Sequence, residues 1–469
     1  SRTHPVQSNI ARLERILPPP VEQPIQEATQ DYNEQDNLKE ECKQWPNEFS
    51  DLATTVNNLD VTKFDQIMSR FVKWLHDANS QLPGPIHPDT KMYKLRKQGK
   101  RVVNNSQYSR STNPKRSDAR ARQRRRDKYE YELAQYQFYN NRRKVVRSVM
   151  YGKNRKKACQ IAVEELERHF KAIFEVSNDK VLDEYKTKVT KPDIEVSLDD
   201  VKNAIKAIRM DTSPGPDQVL MRTIRELDVG PILKCIIDIM LTTGVVPSSL
   251  RIGRTIVIPK DEDGKDINSW RPISIYSVLR RITERILDKH VRDQVEINRN
   301  QRGFVAGIQG CHINSALVNA CIQKAKRTKA DCVVAFLDIS KAYDRVGHAH
   351  IERCLQSQGV SANLRNLIMA LLRNNSVVIQ TGKGKSNPIA TKRGVPQGGP
   401  LSPILFDLAV NYLYDDLCAS QFANLNGFKL VDGFDSLCVT GFADDNAVTS
   451  SSVEGARRTV ELMASLIER

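Results

Sequence analysis

The 469-residue chain is 39% hydrophobic and 27% charged, which is the balance of a globular protein with about three domains. Its uninterrupted apolar runs are far shorter than the ~20 residues that cross a bilayer, so the sequence excludes a membrane-spanning protein. No secretion signal is visible in its first residues. The formal charge of +16 and the pI near 9.4 predict a polyanionic partner such as a nucleic acid.

The first 90 residues have the composition of a linker. They contain the triple proline at 18–20, an acidic stretch rich in Gln and Asn that ends near Glu48, and a proline-rich exit at 82–88. Such segments rarely supply enough apolar surface for a core, so we expect partial disorder. One short helix is predicted near residues 64–78.

Residues 91–195 are predicted to form a basic, helical N-terminal extension. Between 91 and 160 there are 23 Lys and Arg against 4 Asp and Glu, whereas the rest of the chain has 49 against 52. Four tyrosines and Phe138 over 129–139 lie between the basic runs at 120–128 and 142–144, a pattern that suits phosphate contacts combined with base stacking. RNA binding is therefore predicted for Arg120, Arg122, Arg124, Arg125, Arg126, Lys128, Arg142, Arg143 and Lys144. The alternatives are a solvated basic helix and a nuclear-localisation tract.

From about residue 196 the pattern is that of a compact α/β protein. Ser197 and Asp200 predict the capped start of a helix over 201–208. Apolar residues on one helical face predict an amphipathic helix over 275–286, with Arg280 on its polar side. The apolar run 333–337 is rich in β-formers and predicts a buried strand that carries Asp338 at its end.

Nine cysteines are scattered along the chain, and no two of them form a Cys-x-x-Cys pair. Their odd number and irregular spacing argue against both a disulfide scaffold and a zinc ribbon. We therefore expect reduced thiols, as in a nuclear or cytoplasmic protein.

Two carboxylate-bearing segments stand out, one at 336–344 and one at 441–446. The adjacent Asp444 and Asp445 follow an apolar run and are expected at a tight turn between two strands. Carboxylates on such a turn, facing Asp338 from a neighbouring strand end, can hold Mg²⁺, which keeps coordination positions free for phosphate oxygens. Two such ions ~3.5 to 4 Å apart favour phosphoryl displacement. An isolated Asp-Asp pair, by contrast, is usually a solvated turn.

The segment 393–403 is rich in glycine and proline and leads into an apolar helix. Glycines at 394, 398 and 399 permit close backbone approach to a ligand, and Gln397 offers both a donor and an acceptor. Alone, such a segment is usually only a turn before a helix. Its position between the two carboxylate segments favours a functional role.

In this order, the segments resemble a reverse transcriptase of the non-LTR retrotransposon and group II intron kind. Further matches lie at 213–217, 258–260, 268–274 and 300–304. The resemblance implies an α/β (α+β) fold with right-hand polymerase fingers over 196–330 and a palm with a small antiparallel sheet over 331–469. It also implies that the palm is truncated after the Asp-Asp motif and that the thumb is absent.

The resemblance implies roles for individual residues. Asp338, Asp444 and Asp445 would be the catalytic carboxylates that bind two Mg²⁺ ions. Tyr343 would select deoxyribose by crowding out a 2′-hydroxyl. The deoxynucleoside triphosphate site would comprise Lys260, Arg271, Tyr343, Gln397 and Gly398. Within it, the Lys and Arg would grip the triphosphate, a role suited to a point charge and a planar fork respectively.

The implied function is RNA-directed DNA polymerisation, with element RNA as template and a DNA primer, by a fragment that could be inactive alone. Gly399 stands where many non-LTR enzymes have Asp, which loosens assignment to any one clade. Two alternatives stay open: a group II intron-type maturase and a non-catalytic RNA-binding relic. No membrane partner is expected.

Overall fold

The computed structural model describes residues 37–53, 59–82, 159–177, 187–260 and 266–468. The nine basic residues predicted to bind RNA lie outside these ranges. None of the helices in the described ranges is both long and apolar enough to span a bilayer. All nine cysteines lie within them, and all are free, as expected.

The described residues form a mixed α/β fold. Its α-helices are α1 (Trp45–Ala53), α2 (Val61–Gln81), α3 (Val163–Phe174), α4 (Leu198–Ala207), α5 (Met221–Glu226), α6 (Gly230–Thr243), α7 (Val278–Gln294), α8 (Gly310–Thr328), α9 (Ala342–Arg345), α10 (His348–Ser357), α11 (Ala362–Leu372), α12 (Ser402–Leu417), α13 (Ser420–Asn426) and α14 (Val453–Glu468). Its strands are β1 (Ile252–Pro259), β2 (Trp270–Ile275), β3 (Val333–Asp338), β4 (Asn375–Thr381), β5 (Gly384–Lys385), β6 (Ile389–Thr391), β7 (Val439–Phe442) and β8 (Asp445–Ser450).

Helices α1 and α2 belong to the main hydrophobic core. The helix predicted near 64–78 is present and longer than expected, because Asp60 caps its start by accepting from Lys63 N at 3.0 Å. Phe71 of α2 packs edge-on against Trp45 and Phe49 of α1, with ring centroids 5.2 and 5.8 Å apart. The linker interpretation is therefore wrong for these helices, whose aromatic residues anchor them to the core that also contains α6.

Helix α4 has the predicted cap but begins earlier than predicted, at Leu198 instead of residue 201. Ser197 and Asp200 form a capping box, in which the Ser197 hydroxyl accepts from Asp200 N at 3.1 Å and the Asp200 carboxylate accepts from Ser197 N at 3.1 Å. This reciprocal pair satisfies two backbone N–H groups that would otherwise lack partners at the helix start.

The predicted helix over 275–286 is α7, which starts later, at Val278, because Ile275 belongs to β2. The polar-side prediction for Arg280 is wrong: its side chain is 1% exposed. Arg280 Nε donates to Glu284 at 2.7 Å, and its other nitrogens donate to Leu250 O at 3.0 Å and Leu371 O at 2.8 Å. The guanidinium also lies over the Tyr276 ring, 3.8 Å from its centroid. These partners make burial of the cation possible.

The strands form two sheets. In the larger sheet the order is β2-β1-β4-β5, with β6 also paired to β4. Strands β1 and β4 are parallel, and the other pairs are antiparallel. Because β4 to β6 join the sheet of β1 and β2, the sheets do not follow the division at residue 330 that the sequence predicts.

The smaller sheet is antiparallel, as expected, with the order β3-β8-β7. Strand β3 is present where predicted and ends at Asp338. It is not buried, because it lies at the sheet edge and its Phe336 is 78% exposed. The β-forming residues thus specified a strand but not how many of its faces are covered.

Candidate functional site

Three aspartates meet at one edge of the smaller sheet. Asp444 lies in the turn between β7 and β8, where Ala443 has φ +56° in the left-handed region. Asp445 begins β8 and pairs in register with Asp338 at the end of β3. Residues far apart in the chain are therefore neighbours here, because cross-strand partners have Cβ atoms only ~5 Å apart.

The proximity of the three carboxylates affects the pKa of Asp444. Asp338 and Asp445 are exposed, whereas Asp444 is half-buried. Burial raises the pKa of Asp444, the carboxylates of Asp445 and Asp338 raise it further, and the Arg271 guanidinium acts in the opposite direction. The Arg271 cation of β2 thus faces the same group of carboxylates.

The chemistry of these donors fits a divalent cation. Among the described residues, no group of three or more His, Cys, Asp and Glu side chains is arranged as a complete metal site. Mg²⁺ needs no such cage, because it is commonly held by one or two carboxylates and takes its remaining oxygens from water and phosphate. A bound cation would also relieve the repulsion that raises the pKa of Asp444. Asp338 and Asp444 could therefore hold part of such an ion's coordination shell.

Tyr343 lies near Asp444, and other aromatic side chains hold its ring in place. Its ring stacks on Phe406 of α12, with centroids 4.6 Å apart, and meets Phe304 edge-on at 6.4 Å. Burial raises the pKa of the Tyr343 phenol, and the charges of Asp407 and Asp444 raise it further. The hydroxyl thus stays protonated near neutral pH, close to Asp444.

The glycine-rich segment connects the two sheets. Val395 N donates to Tyr343 O at 2.8 Å, and Ser274 N of β2 donates to Gln397 O at 2.8 Å. Gly398 has φ +119°, and a Cβ there would lie 2.8 Å from Ser274 O. Only glycine tolerates this conformation and this closeness, so the segment holds Tyr343 and β2 in one frame.

Asp344 is a central residue whose role the sequence did not reveal. Gln397 Nε2, which was predicted to belong to the nucleotide site, donates to its carboxylate at 2.9 Å. Burial raises the pKa of Asp344 to about 6, opposed by Gln397 and by the charges of Lys341, Lys260 and Arg345. Lys260, exposed at the end of β1, therefore lies near this carboxylate. The sequence marked Asp344 only as the end of a motif, and nothing local indicates its partners.

Asp407 of α12 is a second carboxyl that the sequence did not single out. It is 0% exposed, and within the described part of the chain neither of its oxygens has a hydrogen-bond partner. Burial raises its pKa to about 8, opposed only by the charge of Arg292. An apolar helical pattern surrounds Asp407 in the sequence, so a buried acid there could have been suspected from its neighbours alone.

Comparison with known proteins points to one family. Residues 258–469 match the family described as reverse transcriptase (RNA-dependent DNA polymerase). The chain is 33% identical to a Pol polyprotein of the type-1 retrotransposable element R2 of Popillia japonica, over 53% of this chain and 34% of that protein. It is 32% identical to a Pol polyprotein of the type-2 element R2DM of Drosophila melanogaster, over 44% of this chain and 19% of that protein.

A further relative is the RNA-directed DNA polymerase of the mobile element jockey of Drosophila melanogaster, 28% identical over 55% of this chain and 28% of that protein. The chain thus spans about a third or less of the length of these relatives. All three similarities are to proteins of transposable elements.

Proposed function

We propose that this chain carries the RNA-directed DNA polymerase of a non-LTR retrotransposon. The premise is that residues 258–469 form a reverse-transcriptase domain of that type. The larger sheet, with α7, would serve as the fingers, and the smaller sheet, with α12, as the palm. The observation that carries the proposal is the meeting of Asp338, Asp444 and Asp445 beside Tyr343.

The incoming deoxynucleoside triphosphate would lie between the two sheets. Its sugar would contact Tyr343, whose ring is held in position by stacking on Phe406. Its triphosphate would face Lys260 and Arg271, which are exposed at neighbouring positions of the β1–β2 pair. Gly398 would keep the backbone between Gln397 and β2 close to the nascent base pair.

The reaction would be in-line attack of the primer 3′-hydroxyl on the α-phosphate, with release of pyrophosphate. Asp338 and Asp444, with Asp445 adjacent, would hold Mg²⁺, and we propose two ions. When bound, such ions stabilise the charge that develops on the attacking and leaving oxygens. The protein side chains orient the sugar and triphosphate so that the reacting atoms are aligned.

The proposed partners are an RNA template and a DNA primer. Aromatic residues and cations over 120–144 would contact RNA phosphates and bases. We propose a nuclear or cytoplasmic location, where the free cysteines stay reduced.

Primer extension on poly(A)/oligo(dT) with Mg²⁺ and dTTP tests the function. The chain should extend the primer, and Asp444→Asn and Asp338→Asn should abolish extension while primer–template binding persists. Asp432→Asn, at an exposed loop position, is the matched control and should extend as the unmodified chain does. Binding of RNA without extension, both by the unmodified chain and by a version extended through a thumb, would favour the relic alternative. Extension by Asp444→Asn would refute the assigned site.

A further inference from the structure

Helix α3 reaches from the N-terminal side of the reverse-transcriptase domain to the candidate site. Its buried Leu166, Phe170 and Phe174 share a hydrophobic cluster with Val377 and Ile379 of β4. Together these contacts attach one face of α3 to the larger sheet.

Two hydrogen bonds fix the end of α3 against the glycine-rich segment. Lys392 N donates to Phe174 O at 2.8 Å, and Arg393 Nε donates to Ile173 O at 2.6 Å. The position of α3 relative to the site is therefore set at two successive carbonyls near its end. The preceding turn of the helix then lies beside the residues that follow β3.

That turn brings His169 to Lys341. The Nζ atom of Lys341 lies 3.4 Å from His169 Nε2. Burial and the charge of Lys341 lower the pKa of His169, so its imidazole is neutral near pH 7 and can accept from the ammonium group. Lys341 stands three residues after Asp338 and two before Tyr343, in the left-handed region with φ +52°. The Lys341 ammonium group interacts with Lys260 of the proposed triphosphate site and with Asp344.

Lys341 belongs to a group of four cations. Lys260 and Arg345 interact with Lys341, and Arg345 also interacts with Arg393. Two carboxylates, Asp266 and Asp344, interact with members of this group. Asp344 is buried and already engaged by Gln397, so it neutralises this group only in part. A set of converging, mutually repelling cations is stabilised by an anion with several charges.

We infer that Lys341 binds the polyphosphate of the incoming nucleotide, with His169 of α3 as the positioning residue that aims its ammonium group. The inference rests on the proposed polymerase function, since it names a further residue of the nucleotide site. Lys341 extends the pair Lys260 and Arg271 by a cation from the segment that follows β3, so phosphates lying between the sheets would be contacted from both sides.

The test is equilibrium binding of dTTP to the chain on a dideoxy-terminated oligo(dT)/poly(A) substrate, where no chemistry occurs, alongside the KM and kcat of extension. Lys341→Ala should weaken dTTP binding and raise KM about tenfold, the value of one charge-assisted hydrogen bond, with kcat nearly unchanged. It should weaken inhibition by inorganic tripolyphosphate by a similar factor. His169→Ala should raise KM severalfold, and His169→Gln, which keeps an acceptor, should restore it.

Lys329→Ala is the matched control, because Lys329 also has a left-handed backbone, with φ +51°, but is exposed at the end of α8. It should leave every constant unchanged. Unchanged dTTP and tripolyphosphate constants for Lys341→Ala, in a chain that extends primers normally, would overturn the inference and leave the polymerase function standing. An unmodified chain that neither binds dTTP nor extends primers would refute both.

Discussion

Replacing the buried Asp407 by Asn should remove a pH-dependent loss of stability. In the folded chain its pKa is about 8 instead of the ordinary 3.8, so the folded state binds a proton that the unfolded state has released. Stability is therefore fully present below about pH 4 and falls as the pH rises toward 8. From pH 5.5 to pH 8 the loss is about 2.5 units at 1.36 kcal/mol each, roughly 3 kcal/mol.

Asn has the shape of the neutral carboxyl and cannot ionise, so the variant should lack this loss. Urea unfolding followed by circular dichroism between about pH 5.5 and pH 8.5 measures the difference between the unmodified chain and Asp407→Asn. Arg292, Tyr343 and Tyr414 are the charged or titratable groups that interact with Asp407, and all remain in the variant. Asp432→Asn, at an exposed position, should follow the unmodified chain. Parallel pH curves for the chain and Asp407→Asn would show that Asp407 ionises normally and that the reasoning is wrong.

Other perturbations test the remaining features. Tyr343→Ala should raise ribonucleotide incorporation relative to deoxyribonucleotide in primer extension, whereas Tyr343→Phe keeps the ring and should not. Equal discrimination by the unmodified chain and both variants would show that the Tyr343 ring does not select the sugar. Arg280→Met should destabilise the chain by about 3 to 5 kcal/mol in urea unfolding, because it leaves Glu284 buried without its cation. A loss under about 1 kcal/mol would show that Glu284 is neutral or hydrated. Changing the arginines at 124–126 to Ala should weaken RNA binding and flatten its salt dependence by about one unit of log slope for each phosphate interaction removed; an unchanged slope would assign them to solvent or nuclear import.

Local chemistry made part of this molecule predictable. The Ser197 cap, the strand that ends at Asp338 and the turn at Asp444 each depend on residues close together in sequence. Burial of Arg280 could not be predicted in the same way, because two of its acceptors, Leu250 O and Leu371 O, come from other elements far away in the chain. The role of Asp344 was hidden for the same reason, since its partner Gln397 lies far along the chain.

The N-terminal helices show a different limit. Proline and glutamine around them suggested a linker, but composition averages over a window and hides a few well-spaced aromatic residues. Phe49 and Phe71, together with other apolar residues of the two helices, belong to the core. The exposure of strand β3 could not be predicted either, because the residue types in a strand do not reveal whether it lies at the edge or in the centre of the sheet.

The strands of the two sheets alternate along the polypeptide. Strand β3 lies in the sequence between β1 and its parallel partner β4, and β4 lies between β3 and its partner β8. Neither sheet can be excised as a continuous piece of chain, and during synthesis neither is complete until most of the domain has left the ribosome. Such long-range pairing is slow to form and exposes unpaired strand edges meanwhile. A nascent protein of this kind therefore depends on protection of its early strands, and stop codons within the domain would yield products prone to aggregation.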